Sequence, residues 1–297
     1  MTDLTPIIKA VDFIEGNLKQ EIAVADIADA AAFSLYHFCR VFSQTLHLTP
    51  YDYLIRRRLS ESAVELADTD RKIIDVAFDY QFNNHETYTR AFKRMFGMQP
   101  YQWRKRPAYQ TLMPEATAAY IRHINKGPYL KPVLEERGPL CLVGLTTMIT
   151  DDAAVVPQLW EIVEDEFEEV PTPQRYGLLW AAAHSQDQVM TRFYMAAVEA
   201  APTDPLAPDL LAKTLPAASY ARFIHKGPYG DLRLSQDYVH HTWLPKSGQQ
   251  LANTLLLQVY PQGFDSACRP DSETLLYFPL ASPPLPPSPR IGEGGGG

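Results

Sequence analysis

One passage of this chain is written twice. Ile27–Tyr53 reads IADAAAFSLYHFCRVFSQTLHLTPYDY, and Val76–Trp103 reads VAFDYQFNNHETYTRAFKRMFGMQPYQW. Ile27-Ala28 matches Val76-Ala77, and Phe33 matches Phe82, at a spacing of 49. Phe38 then matches Tyr88, Arg40 matches Arg90, Phe42 matches Phe92 and Pro50-Tyr51 matches Pro100-Tyr101, all at 50. One residue is therefore inserted between Phe82 and Tyr88. A repeat of this kind constrains architecture before any single residue does, because each copy must form the same small unit.

Each copy has the outline of a helix-turn-helix. A short helix opens at Ile27 or Val76. A turn follows, then Ser34 or Asn83, both able to cap a helix N-terminus. The second helix sets Phe38, Val41 and Phe42, or Tyr88, Ala91, Phe92 and Met95, on one side. That is the spacing of a helix buried on one face. The opposite face is polar and partly basic: Tyr36, His37 and Arg40 in one copy, His85, Glu86, Thr89, Arg90 and Lys93 in the other.

The flanking sequence completes a helical domain. Thr5-Pro6 is a helix start signal, and Ile7, Val11, Ile14 and Leu18 line one face of a helix expected to end near Leu18–Gln20. Thr49-Pro50 repeats the signal. A helix from Pro50 to about Ala67 points Leu54, Leu59, Ala63 and Leu66 inwards and spans roughly 27 Å. Two units held by such a helix match major-groove segments about one turn, ~34 Å, apart only loosely, so either the DNA bends or one unit docks less fully.

Charge is the one property that counts against a nucleic-acid domain. Residues 1–107 hold 14 basic and 14 acidic side chains, and the chain as a whole carries −8. Distribution matters more than the sum. Arg90, Lys93, Arg94, Arg104, Lys105 and Arg106 stand against the single acid Glu86, and Arg56-Arg57-Arg58 forms a second cluster. Both clusters are expected to meet phosphates.

Residues 5–106 resemble the DNA-binding domain of AraC/XylS-type transcription regulators, in particular the MarA/SoxS/Rob branch. The resemblance rests on Ile27-Ala28, Phe33-Ser34, Phe38, Arg40, Phe42, Arg58-Leu59, Ala63, Ile74, Ala77, Phe82, the block TRAFKRMFG (Thr89 to Gly97), Pro100 and Arg104. It implies seven helices, two helix-turn-helix units bridged by a long helix, and double-stranded DNA at a promoter or operator as partner. It also implies base reading from Leu35, Tyr36, Cys39 and Arg40 in the first unit, and from Asn84, His85, Glu86, Thr89 and Arg90 in the second, with Lys93 on the same face. Chemically, Arg40 or Arg90 suits guanine O6/N7 and Glu86 a cytosine amino group. Three turn positions depart from the family's glycine: Ala32, His47 and Gln81. Glycine tolerates left-handed backbone, so these turns are expected to be strained or reshaped.

Beyond Arg106-Pro107 the pattern changes. Residues 108–132 have weak periodicity and read as a linker with some local structure. Then strands at Leu140–Thr147, Tyr176–Ala183 and Thr191–Val198 enclose a helix at Val155–Phe167 with Leu159, Ile162, Val163 and Phe167 inwards. Strands at Ser219–His225, Leu255–Tyr260 and Thr274–Leu280 enclose a helix at Leu232–Leu244. The order strand-helix-strand-strand occurs twice, which predicts an α+β domain: an antiparallel sheet with helices on one face. A concave site between the halves is the natural ligand pocket.

Residues 133–281 resemble the GyrI-like ligand-binding domain, through HKGPYGDL (His225–Leu232), the QVYP segment (Gln258–Pro261) and LLYFPL (Leu275–Leu280). Aromatic candidates for the pocket are Trp160, Trp180, Tyr194, Tyr229, Trp243 and Tyr277. The resemblance puts an acid where Gln258 stands and another where Leu275 stands; Glu273, two residues from Leu275, is the expected substitute. Residues 282–297, SPPLPPSPRIGEGGGG, are expected to be a disordered tail.

The expectation is thus a multidomain, non-enzymatic regulator of transcription: a double helix-turn-helix domain over 1–107, a linker over 108–132 and an effector-binding domain over 133–281. The effector is expected to be aromatic or lipophilic, and RNA polymerase is a candidate protein partner. Two rivals remain: a GyrI-like hydrolase of an electrophilic molecule with Glu273 ionised, and a pure interaction protein. Neither a signal peptide nor an 18-residue apolar run is present. Cys39, Cys141 and Cys268 are odd in number and scattered, which suits a reducing cytoplasm. No spacing points to a metal or cofactor.

Overall fold

The computed structural model describes residues 3–108, 111–127, 130–149, 155–167, 174–183, 190–200, 209–260 and 272–281; the tail at 282–297 lies outside them. The helical half runs α1 (Thr5–Gly16), α2 (Val24–Ala30), α3 (Leu35–Leu46), α4 (Pro50–Asp68), α5 (Ile73–Asp79), α6 (His85–Phe96), α7 (Pro100–Lys105) and α8 (Ala118–Ile124). The first seven match the expected set. The eighth lies in the stretch read as a linker, and it is not loose: Tyr120, Ile121 and Ile124 are buried in the same core as α1–α7. Its Thr117 cap accepts a hydrogen bond from the Tyr120 N–H at 3.2 Å.

The two repeats pack as two aromatic wedges on one spine. Phe38, Phe42 and Tyr53 meet in series, tilted and then edge-on, at 5.3 and 5.9 Å in the first. Tyr88, Phe92 and Trp103 do so at 5.5 and 5.8 Å in the second. Leu54, Leu59, Ala63 and Leu66 of α4 are buried between them, as their spacing predicts. Each buried Phe or Leu contributes about 1.5–3 kcal/mol. Polar ties reinforce α4: the Trp103 indole N–H donates to the Ala63 carbonyl at 2.8 Å, and the Ser62 and Tyr88 hydroxyls meet at 3.0 Å.

Caps refine the repeat. Thr49 caps α4, its hydroxyl accepting from the Asp52 N–H at 3.1 Å. The other expected caps differ. α1 starts after Leu4, without a side-chain cap from Thr5. Ser34 stands at its N-cap without a side-chain bond, and the cap of α6 is Asn84, not Asn83. Since α3 starts at Leu35 and α6 at His85, Asn83 is the inserted residue. Ala32, His47 and Gln81 have φ of 56°, 55° and 65°, the three non-glycine positive values among the described residues. These are the three positions where glycine was missed. The turns keep the left-handed shape and accept its cost.

The arginine triplet is a correction. Arg57 and Arg58 are 5% exposed. Arg57 brackets the Glu15 carboxylate, bonds Glu61 at 2.7 Å and donates to the Met113 carbonyl at 2.6 Å. Arg58 donates to the Leu18 and Gln20 carbonyls at 2.9 and 2.6 Å, closing the end of α1. Arg56 donates to the His241 carbonyl at 2.8 Å. Arg104, expected at a phosphate, donates instead to the Leu66 carbonyl at 3.1 Å and to that of Arg71. All four guanidiniums serve the fold. A fork of five donors satisfies stray carbonyls at helix ends as readily as it meets phosphate.

The second half contains β1 (Val133–Arg137), β2 (Leu140–Ile149), α9 (Val155–Glu166), β3 (Arg175–Ala183), β4 (Met190–Glu199), β5 (Leu211–Leu215), β6 (Ala218–Lys226), α10 (Leu232–Tyr238), a π-helical turn at Val239–Trp243, α11 (Leu244–Ser247), β7 (Leu256–Tyr260) and β8 (Glu273–Pro279). The doubled strand-helix-strand-strand order is present, and with β1 and β5 its six strands form one eight-stranded antiparallel sheet among the described residues, in the order β1-β6-β8-β7-β3-β4-β2-β5. The edge strands β1 and β5 were not expected; Val133, Leu134 and Leu211 on them are exposed. α9 and α10 pack on one face. In α9 it is Val156, Leu159, Trp160 and Val163 that turn inwards, while Ile162 is exposed. No helix among the described residues is long and apolar enough to cross a membrane, and no cluster there has the makeup of a metal site.

Candidate DNA-binding and effector sites

The second helix of each repeat presents a polar face away from the core. On α3, Leu35 is 50% and Tyr36 81% exposed. Arg40 is exposed, 3.4 Å from the His37 ring, and Cys39 is half-buried against the helical core. On α6, His85, Glu86, Arg90 and Lys93 are all exposed. Glu86 lies in the first turn, where a carboxylate also favours the helix itself. Two candidates are less free than their positions implied. The Asn84 side-chain oxygen accepts from the Thr87 N–H at 2.8 Å, so the cap occupies it. Thr89 is half-buried, with its hydroxyl oxygen buried and without a partner. Arg94, Lys105 and Arg106 remain exposed, so the basic cluster of the second unit survives without Arg104.

The effector candidates fall on two faces of the sheet. Trp160 of α9 donates its indole N–H to the Tyr194 hydroxyl at 3.1 Å. Tyr194 and Tyr260 hydroxyls meet at 2.9 Å, and the Tyr260 O–H donates to the Gln258 side-chain oxygen. Tyr229 sets its ring edge-on to Tyr194 at 6.3 Å. Trp160, Tyr194, Gln258 and Tyr260 are each 1% exposed or less. Burial pushes the Tyr194, Tyr229 and Tyr260 hydroxyls above their ordinary value, and no charged side chain contributes to these shifts. The cluster is therefore neutral, a directed run of hydrogen bonds ending on an amide oxygen. Trp243 lies on the same face, edge-on to Phe223 at 5.2 Å.

A glycine makes room for this network. A Cβ at Gly177 would stand 2.5 Å from the Tyr194 hydroxyl, 2.8 Å from the Gln258 oxygen and 2.9 Å from the Tyr260 hydroxyl. Tyr260 was not among the candidates. The signal was available: it lies two residues after Gln258, so on a strand it shares that face.

Trp180, Tyr277 and Glu273 lie on the other face. Trp180 stacks on Phe193 at 5.5 Å with the Lys213 ammonium 3.9 Å from its ring centre. Tyr277 meets Tyr220 at 5.9 Å beneath the Arg137 guanidinium, and Glu273 pairs with Lys226. The register explains the separation. Gln258 stands opposite Leu276, and Val259 opposite Leu275. Directly opposed residues share a face, so Gln258 goes with Leu276 and Thr274, while Glu273, Leu275 and Tyr277 face away. Glu273 does share the face of Leu275, as its spacing implied, but that face is the one opposite Gln258, so no acid joins the buried cluster.

Comparison with known proteins gives a separate match for each half of the chain. Residues 27–106 match the model of a helix-turn-helix domain, and residues 130–281, just over half of the chain, match the GyrI-like small molecule binding domain. The uncharacterized HTH-type transcriptional regulator YbfP of Bacillus subtilis (strain 168) is 37% identical over 123 residues, 40% of either chain. Right origin-binding protein of Escherichia coli (strain K12) is 37% identical over 97 residues, 33% of this chain and 34% of its own. The HTH-type transcriptional activator AarP of Providencia stuartii is 35% identical over 92 residues, 31% of this chain and 68% of its own. The matched stretches span well under half the length of the first two relatives. With its double helix-turn-helix of the AraC type in front and this sheet domain behind, the chain belongs to the GyrI-like small-molecule-binding family.

Proposed function

We propose that this protein is a sequence-specific DNA-binding regulator of transcription whose second domain senses a small aromatic or lipophilic molecule. The observation that carries the reading is the paired exposure of Tyr36 and Arg40 on α3 and of His85, Glu86 and Arg90 on α6, two equivalent helices on a shared spine. Arg90 would read guanine and Lys93 would hold phosphate. On the effector side, Trp160, Tyr194, Tyr229, Gln258 and Tyr260 supply flat apolar surface with a few hydrogen-bonding groups, the usual makeup of a ligand site. Trp180, Tyr277 and Glu273 belong to a separate face and are left out of this site.

The reading is one of binding and not of turnover. A hydrolase needs an ionisable group among the reacting atoms, and Gln258 offers none, while Glu273 faces away, paired with Lys226. RNA polymerase stays a candidate partner on the grounds of the regulatory reading alone. The test is direct. The full chain is used to select duplexes from a random pool, and the selected duplex is then measured by fluorescence anisotropy. A shared motif with nanomolar binding at physiological salt is expected; recovery of unselected sequence sinks the DNA reading. Titration with a panel of aromatic dyes, followed by tryptophan fluorescence, tests the effector site, and a panel without a single response sinks that part.

A further inference from the structure

The effector-side helix and the first helix-turn-helix are joined by hydrogen bonds whose directions can be assigned. A carbonyl oxygen only accepts, so His225 donates its Nε2–H to the Pro228 carbonyl at 3.3 Å. Its Nδ1 is then the acceptor for the Ser235 hydroxyl at 2.9 Å. The Ser235 oxygen in turn accepts from His123 Nε2–H at 2.8 Å. The two imidazoles stack at 5.2 Å, and Ser235, His225 and His123 are all buried. His123 belongs to α8. One residue beyond the end of that helix, Asn125 donates both to the Ile121 carbonyl at 2.8 Å and to the Thr45 carbonyl at 3.0 Å. Thr45 is in the last turn of α3. Pro228, at the other end, immediately precedes Tyr229.

A second set of contacts runs in parallel. The Tyr238 ring of α10 meets the His47 ring edge-on at 5.6 Å. Lys246 of α11 donates to the His47 carbonyl. The Arg56 bond to the His241 carbonyl ties the π-helical turn to α4. Among the described residues, these hydrogen bonds and ring contacts between the two halves fall on His47, the residue that follows α3, and on α4 and α8. None falls on α5 or α6.

We propose that occupancy of the effector site is reported to the first helix-turn-helix alone, through the Tyr229 turn, the His225–Ser235–His123 relay and Asn125 on the end of α3. This rests on the effector reading above for what moves Tyr229, and on the relay for where the movement goes. Tyr229 is the member of the aromatic cluster that is only partly buried. A molecule entering among Trp160, Tyr194 and Tyr260 displaces it first. Its turn continues without a break into α10, so displacement shifts Ser235 and Tyr238 with it. A ligand changes DNA affinity only by favouring one arrangement over another, and here the two arrangements differ at α3. The second unit keeps its grip on DNA in both.

Hydrogen exchange on the full-length protein tests this with neither ligand nor DNA. Tyr229→Ala stands in for displacement of the ring. About a tenfold faster exchange is expected for amides in the last turn of α3, within the usual range of a coupling between sites, with less than about a twofold change in α6. Ser235→Ala alone should loosen the same turn, and Tyr229→Ala added to it should change little more, because the relay is already cut. If Tyr229→Ala fails to fold, Tyr229→Phe, which removes only the hydroxyl, gives the same pattern at smaller amplitude. Equal acceleration of α3 and α6, an unchanged α3, or additive effects of the two substitutions would overturn the proposal. A dye panel that never binds, with the exchange pattern intact, would sink the effector reading and leave the relay standing.

Discussion

His47 closes α3 and Gly97 closes α6, at equivalent places in the repeat and in the same left-handed conformation, φ 55° and 74°. At Gly97 the shape is free, and a side chain there would meet open space. At His47 it costs about 1–2 kcal/mol, the usual penalty for a residue with a Cβ. The His47 ring lies against Tyr238, and its carbonyl takes the Lys246 ammonium. The first unit thus uses, for a contact with the effector domain, a position that the second unit leaves to backbone geometry. Two copies of one motif have thus been put to different uses. One is roofed by the second domain, and the other is left clear with most of the free positive charge.

The largest expected effect tests what the copies share. Arg57→Ala leaves Glu15, 13% exposed, without its principal partner, and should cost about 3–5 kcal/mol. Urea unfolding followed in both repeats should shift as one transition; separate transitions would mean that α4 is no common spine. Next comes DNA. Arg90→Ala should weaken binding to the selected duplex by about 1–3 kcal/mol and relax one base position. Arg40→Ala should cost about 1 kcal/mol at a different position, because its guanidinium is already near His37. An Arg40 effect larger than that of Arg90 would reverse the assignment of the stronger grip to the second unit.

The backbone comparison is sharper still. Ala32→Gly should stabilise the protein by about 1 kcal/mol by relieving its left-handed turn. His47→Gly gains the same relief but loses the Tyr238 contact, and so should give little or nothing. Thermal unfolding of the two variants side by side decides it, and an equal gain in both would deny His47 its docking role. The smallest effect is with pH. Burial holds His225 down to about 4 and lowers His123, each further lowered by a positive neighbour, protonated His123 or Lys126 respectively, and partly restored by Asp231. A depressed histidine stabilises the docked form fully above the free value near 6.5, and that stability is lost as pH falls from there through the folded value. Between pH 7 and 6 the loss should stay under about 1 kcal/mol. Hydrogen exchange should then loosen the end of α3 before α6; simultaneous loosening would show that the histidines do not sit at the joint.

Much of the fold was legible because it is periodic. Phe38, Phe42, Tyr88 and Phe92 declared their helices by spacing, and all four are buried. The three missing glycines predicted strained turns, and those are the three non-glycine residues of positive φ among the described residues. The doubled strand-helix-strand-strand order followed from alternating patterns and turn residues. What stayed hidden was short or relational. α8 has seven residues, too few for a convincing period. β1 and β5 have five each and lie at the sheet's edges.

At the sites the split is of the same kind. The exposure of Tyr36, Arg40, His85 and Arg90 could be read from the polar face of each helix. The fate of Arg56, Arg57, Arg58 and Arg104 could not, because an arginine looks the same in sequence whether it meets phosphate or a stray carbonyl. Gln258 and Tyr260 share a face by strand period alone. Whether Glu273 joins them depends on the pairing of β7 with β8, and a shift of one residue would have put it on the face of Gln258. Local patterns were enough for two helix-turn-helix units and a doubled sheet domain, and the family resemblance marked Gln258 as a neutral amide in an acid's place. Only the tertiary structure decided which cations are free, which candidates share a face and which unit the effector helix touches. Those are contacts between residues far apart in the chain, and no local spacing encodes them.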